Sequence, residues 1–264
     1  MEIQAEDDPR FGGIERLYGR AGGQKLAAAH VCVMGIGGVG SWTVEALART
    51  GVGRLTLVDL DEICLTNVNR QIHALTDQVG RAKVEAMADR VRAIHPRCVV
   101  EPVSAFFTAK TAEGLLATPF DCVVDAFDHP RNKALLIARC RAAGIPVVTV
   151  GGAGGRRDPA AIKRGSLTTS IQDGLLRRVR KLLRREFAFG PSDWGIPAVF
   201  STEVATAPEG VVCTPEGEDA ADSGDAEGVS LRIDCATGYG TAAFVTGTFG
   251  FHAAAAVVDV VLAR

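Results

Sequence analysis

The chain has 264 residues, of which 47% are hydrophobic, and a formal net charge of −2 at pH 7. This size and apolar content suit one large α/β domain, or one domain with an appendage, and weigh against two separate domains. Seven scattered cysteines, odd in number and with no CxxC pair, argue against a disulfide framework or zinc ribbon and for a reducing, cytoplasmic setting.

The first ten residues, MEIQAEDDPR, are acidic and lack an apolar stretch, so no secretory signal is expected. Residues 10–26 (RFGGIERLYGRAGGQKL) read as a solvated lead-in helix. Residues 31–34 read as a buried strand, followed by a turn containing Gly35, Gly37, Gly38 and Gly40 and a helix over 41–50. A GxGxxG turn between strand and helix lets backbone N–H groups approach a phosphate, with the positive end of the helix dipole behind them. A second strand over 54–59 ends in Asp59, nineteen residues beyond Gly40, where a Rossmann-type site grips a ribose hydroxyl.

The next loop, DLDEICLTNVNRQIHA, carries Asp59, Asp61, Asn67, Asn69, Arg70 and Gln71. Residues 80–83 (GRAK) then open an amphipathic helix with Val84, Met87, Val91 and Ile94 on one face. Arg70 and Lys83 are thereby delivered near the strand ends that bear the glycine turn. A redox enzyme only holds a dinucleotide's pyrophosphate, whereas splitting ATP between its α and β phosphates needs cations to neutralise the leaving group. The two basic residues suit the second task; a solvated salt-bridging pair is the plain alternative.

A strand over 98–103, a helix over 108–117, a strand over 121–127 and a strand over 146–150 continue the alternation. Apolar strands separated by helices imply a Rossmann-like, mostly parallel sheet covered on both faces. Asp125 and Asp128 stand at the C-terminal end of the 121–127 strand, the edge where such sheets bind ligands. Asp125 reads as a ligand of Mg²⁺ or ribose, or as a cap for a helix starting near Pro130. The cluster GGAGG at 151–155 reads as a second close backbone approach to substrate.

From Thr168 the character changes to a C-terminal extension of strands, a basic helix and a packing helix. Leu175, Leu176, Val179, Leu182, Leu183 and Phe187 fall at helical spacing, while Arg177, Arg178, Arg180, Lys181, Arg184 and Arg185 fill the other positions. So lopsided a face suits a polyanion as well as solvent, although Trp and Tyr for base stacking are scarce nearby. Residues 208–228 read as a mobile loop, and 216–227 within it hold six acids and no base, which masks a mildly basic body. Cys235 reads as a buried thiol sooner than a nucleophile. The apolar stretch 242–262 could cross a bilayer, but His252, Asp259 and its small residues favour a buried or dimer-interface helix.

With these pieces in place, the sequence resembles the ubiquitin-activating-enzyme-like adenylyltransferases. The matching motifs are GIGGVGS (35–41), GVG (51–53), DLD (59–61), TNVNRQ (66–71), GRAK (80–83) and VVDAFD (123–128). RFGGIERLYG (10–19), GGAGGRRDP (151–159), TTSIQD (168–173), VFSTE (199–203), DCATGYG (234–240) and GTFGF (247–251) extend the likeness to the branch acting on threonylcarbamoyladenosine of tRNA. The lack of the two CxxC pairs that hold zinc in many sulfur-carrier activators agrees with that branch.

The resemblance implies one domain over 1–264, with a nucleotide-binding core at 28–155 and a substrate, tRNA and dimer part at 156–264. It implies ATP-dependent adenylation of the threonyl carboxylate and ring closure, with release of AMP and pyrophosphate. Gly35 to Gly40 would cradle ATP, Asp59 would hold its ribose, Asn67, Arg70 and Lys83 its phosphates, and Asp125 Mg²⁺, with Asp61 a further residue of the nucleotide site. Arg16 would reach a partner protomer's ATP in a homodimer, with Arg10 or Arg20 as substitutes, and the basic helix would meet tRNA. A cysteine desulfurase or sulfur acceptor would be a further partner. Activation of a ubiquitin-like sulfur carrier is the alternative within the family, and an NAD-dependent oxidoreductase the alternative outside it.

Overall fold

The computed structural model describes residues 8–207 and 239–264. The expectations for the 208–228 loop and for Cys235 fall outside these residues. Among the described residues, seven strands form one sheet in the order β3-β2-β1-β4-β5-β7-β6. They are β1 (His30–Met34), β2 (Arg54–Val58), β3 (Val99–Val103), β4 (Cys122–Asp125), β5 (Val147–Val150), β6 (Ile162–Ser166) and β7 (Pro197–Ser201). All pairings are parallel except β6 with β7. Every residue of β1, β4 and β5 is buried, as expected for apolar strands at the middle of a parallel sheet covered on both faces. Pro102 sits in β3 at the sheet's edge, where a missing N–H costs no ladder bond.

Seven α-helices accompany the sheet among the described residues: α1 (Gly12–Ala28), α2 (Gly40–Arg49), α3 (Lys83–Ile94), α4 (Ala112–Leu115), α5 (Pro130–Ala142), α6 (Gly174–Glu186) and α7 (Ala243–Leu262). Alternate β1 residues feed two cores. Val31 and Val33 face α2, α3 and α7, whereas Cys32 and Met34 face α5 and α6. The strand order reverses between β1 and β4, and ligands of open α/β sheets settle at such a switch point.

Two elements differ from the sequence expectation. The helix expected over 108–117 shrinks to the four residues of α4, because threonine hydroxyls take the backbone groups a helix would need. Thr108 N donates to Thr111 Oγ1 (2.9 Å), and Thr111 Oγ1 donates to Phe106 O (2.6 Å). The apolar stretch at 242–262 forms α7, long and apolar enough to cross a membrane by length and composition, yet eleven of its twenty residues are buried. Its glycines bring it against α2. A Cβ on Gly250 would lie 2.6 Å from Trp42 Cβ and 2.8 Å from Val39 O. Thr43 Oγ1 also hydrogen-bonds Gly250 O across that contact (3.3 Å).

Candidate active site

The glycine turn between β1 and α2 assigns a separate task to each glycine of its GxGxxG. Gly35 has φ +93°, and a Cβ there would lie 2.9 Å from Ala126 C and Phe127 N at the end of β4. Gly40 lets α2 begin against the turn, since its Cβ would fall 1.7 Å from Gly35 O. A Cβ on Gly37 would meet only Gln71 Nε2, at 3.9 Å, which leaves that backbone open to a ligand. The N–H groups of Gly37, Gly38 and Val39 donate to no described residue. Unpaired donors at the start of a helix are a ready anion site.

Asp59, just past β2, shapes this turn from below. Its Oδ2 accepts from Ile36 N (2.6 Å) and its Oδ1 from Asp61 N (2.9 Å). Burial pushes its pKa up, against the pull of nearby Lys83. Lys83 is the first residue of α3 and is almost wholly buried, with Nζ 2.7 Å from Oδ2 of the half-exposed Asp61. Arg70 drapes its stem over the turn, its Cγ 3.6 Å from where a Cβ on Gly38 would be. The guanidinium meets Thr66 O (2.7 Å) and Asn69 Oδ1 (3.0 Å). Asn67 is buried, and its amide oxygen closes its own turn by accepting from Cys64 N (3.1 Å). That oxygen holds the loop that carries Arg70, a supporting task beside the phosphate contact expected of Asn67.

Asp125 ends β4, as the sequence suggested, but its carboxylate turns into the sheet. It is fully buried, its Oδ1 accepting from Lys133 Nζ (2.9 Å) and its Oδ2 from Thr149 Oγ1 (2.7 Å). Burial raises its pKa while Lys133 opposes the rise. Both oxygens are engaged inside the sheet, so Asp125 does not fit the Mg²⁺ role in this geometry. Nor does it cap α5, whose N-cap is His129, accepting from Asn132 N (3.3 Å). The exposed carboxylate at this strand end is Asp128.

Sequence reasoning missed the far wall of the crevice. Thr246 of α7 donates to Arg70 O (3.0 Å), as does Trp42 Nε1 of α2 (3.0 Å). Asn69 Nδ2 donates to Thr241 O (2.9 Å), and Gly155 N donates to Gly240 O (2.8 Å). Residues 239–241 thus bridge the 66–71 loop and the glycine cluster after β5. The signal available was the glycine-rich GYG directly before an apolar helix.

His73 was also missed. It is buried below the turn, with Nε2 2.8 Å from Ile36 O, and burial pushes its pKa down to about 4. The folded protein therefore binds fewer protons here than the unfolded chain between pH 6.5 and 4. Stability is complete above pH 6.5 and falls with pH through that window, by about 3 kcal/mol at full protonation. His73→Gln is expected to flatten this fall, measured as urea midpoints at pH 7 and 4.5. An unaltered slope would remove His73 as its source.

Arg16 is exposed on α1 and lies away from its own chain's turn. The neighbouring Phe11 packs on Gly51, just past the C-terminal end of α2, while the turn lies at the other end. On α6, Leu176, Val179 and Leu183 are buried, and Arg177, Arg178, Lys181, Arg184 and Arg185 are exposed. Arg180 differs, donating to Leu167 O (3.2 Å) and to Ser170 Oγ, so it fastens a turn to the helix. The fold also supplies an aromatic neighbour that the sequence hid, for Arg184 lies 5.3 Å over the Trp194 ring.

The ThiF family model matches residues 13–178. The tRNA threonylcarbamoyladenosine dehydratase of Escherichia coli is 47% identical over 260 residues, covering 97% of this chain and 94% of that protein. The dehydratase of the same name from Haemophilus influenzae is 43% identical over 260 residues, with coverage of 97% and 95%. The crystal structure of the Escherichia coli enzyme in complex with ATP superposes with a TM-score of 0.84 at 42% identity, covering 100% of this chain and 98% of that one. The chain belongs to the ThiF family, among its tRNA threonylcarbamoyladenosine dehydratases.

Proposed function

We propose that this chain is an ATP-dependent dehydratase acting on threonylcarbamoyladenosine in the anticodon loop of tRNA. The observation that carries the reading is near-full-length similarity to two dehydratases, together with an open anion cradle at Gly37 and two cations beside it. In the first step the threonyl carboxylate attacks the α phosphate of ATP, forming an acyl-adenylate and expelling pyrophosphate. A carbamoyl nitrogen of the same group then attacks the activated carbonyl, the bond to AMP breaks, and the nitrogen gives up its proton. Ring closure is intramolecular, so positioning supplies much of the rate without a protein nucleophile.

Within this reading the turn N–H groups bind phosphate, Asp59 accepts from the ribose, and Arg70 and Lys83 offset charge on the leaving pyrophosphate. Lys83 would exchange its partner Asp61 for the nucleotide. Mg²⁺ takes one or two carboxylates plus phosphates in such sites; Asp128, exposed at the end of β4, is open to that role where Asp125 is not. The exposed cations of α6 fit the tRNA backbone. Exposed Phe244 and Phe251 on α7, with Leu65 beside the 66–71 loop and Val68 within it, suit a homodimer through which Arg16 would serve the partner's site. A sulfur-transfer partner and a cytoplasmic setting complete the reading.

Mass spectrometry of nucleosides from tRNA treated with the protein and ATP tests it. The threonylcarbamoyl nucleoside is expected to lose the mass of one water. An unchanged nucleoside beside bound ATP would overturn the assignment.

A further inference from the structure

We infer that Gly152 is the seat at which the RNA-borne acceptor group approaches the nucleotide, and that Asp173 and Arg156 are positioning residues tying this seat to the basic helix. The inference rests on the dehydratase reading and deepens it. The cluster at 151–155 follows β5, two strands from β1, so about 10 Å separates it from the strand bearing the glycine turn. Three of its glycines have packing reasons. A Cβ on Gly151 would fall 2.0 Å from Asp173 Oδ2, and on Gly154 or Gly155 it would fall 2.8 or 2.7 Å from Tyr239. At Gly152 it would meet nothing within 4 Å, and Gly152 has no positive φ. Neither packing nor backbone conformation calls for glycine there. A planar carboxylate or amide in van der Waals contact with the chain does.

The Gly152 peptide is also held from both ends. Its N–H donates to Asp173 Oδ2 (3.0 Å) and its carbonyl accepts from Arg156 Nε (2.8 Å). Arg156 and Asp173 are both buried, with NH2 3.6 Å from Oδ2, and the same NH2 donates to Gln172 O (2.9 Å). Gln172 has φ +51°, a left-handed conformation uncommon outside glycine, and the Arg156 bond fixes its carbonyl. The other oxygen of Asp173 caps α6 by accepting from Leu176 N (2.9 Å). One carboxylate therefore holds both the start of the basic helix and the Gly152 peptide. RNA gripped along α6 is placed relative to Gly152 through a single rigid joint.

Gly152→Ala puts a methyl group into the seat and leaves both peptide hydrogen bonds in place. In the full chain, with ATP and tRNA carrying threonylcarbamoyladenosine, kcat is expected to fall about 10²-fold, the scale of a 1 Å misplacement. The Kd for tRNA should stay within about twofold, and ATP should still raise Tm. Gly114→Ala, on α4, where the added carbon also meets nothing within 4 Å, should match wild type. Asp173→Asn keeps the cap, since Asn caps as well as Asp, but loses the acceptor for Gly152 N–H. It should lower kcat more than it raises KM. Wild-type kcat in Gly152→Ala overturns the inference, as does a rise in tRNA Kd equal to the loss in kcat/KM, because the loop would then serve binding alone. If the wild-type chain itself leaves the tRNA unchanged, the dehydratase reading fails instead.

Discussion

Lys83→Ala is expected to lower substrate-dependent pyrophosphate release by on the order of 10²–10³-fold, the cost of removing one preorganised charge-stabilising group. The argument is geometric. Lys83 leads α3 with its ammonium almost wholly buried, paired with the half-exposed Asp61 and near the carboxylate of Asp59. Asp61 keeps its contact with water and Asp59 keeps its two backbone donors, so the fold should survive the substitution. Arg70→Ala should act alike. Its hydrogen bonds run to Thr66 O and Asn69 Oδ1 of its own loop, while its stem crosses Gly38 of the turn. Pyrophosphate release measured beside the urea midpoint separates chemistry from folding. Either variant within tenfold of wild type, at an unchanged midpoint, would end that residue's phosphate role.

The frame of the site was legible because its signals are local. A strand, three spaced glycines and a helix start lie within eleven residues, and each glycine proved to have a different steric reason. The basic helix was equally readable from its 3.6-residue period. Position 180 could have been set apart too, since it lies one helical turn from both buried Leu176 and buried Leu183, at the flank of the apolar stripe. What escaped depended on distance in sequence. Thr246 reaches Arg70 O across 176 positions, and Asp173 reaches Gly152 N across 21. The engagement of Asp125 inside the sheet escaped for a subtler reason. A carboxylate at a strand's C-terminal end usually signals a ligand, and only a buried lysine eight residues on, itself rare, reverses the inference.

That reversal makes Lys133 the more severe substitution for stability. Lys133 and Asp125 are both fully buried, and the ammonium also donates to Phe127 O (2.8 Å) and lies 5.5 Å over the Phe127 ring. Lys133→Ala leaves a carboxylate in the core without its cation, a change that costs about 3–5 kcal/mol. At about 2–4 °C per kcal/mol for a chain of this size, Tm should fall by roughly 10 °C. The damage should reach the nucleotide as well, because Ala126 and Phe127 are the backbone on which Gly35 packs. Pairing Lys133→Met with Asp125→Leu replaces the ion pair by apolar side chains, an exchange that is often near neutral. Thr149 Oγ1 and Phe127 O still lose partners, so Tm should recover most, not all, of the loss. If Asp125 serves only the sheet, the double variant keeps pyrophosphate release within about tenfold of wild type, far above the 10²–10³-fold loss of a charge-stabilising group. A recovered Tm without turnover would return Asp125 to the chemistry.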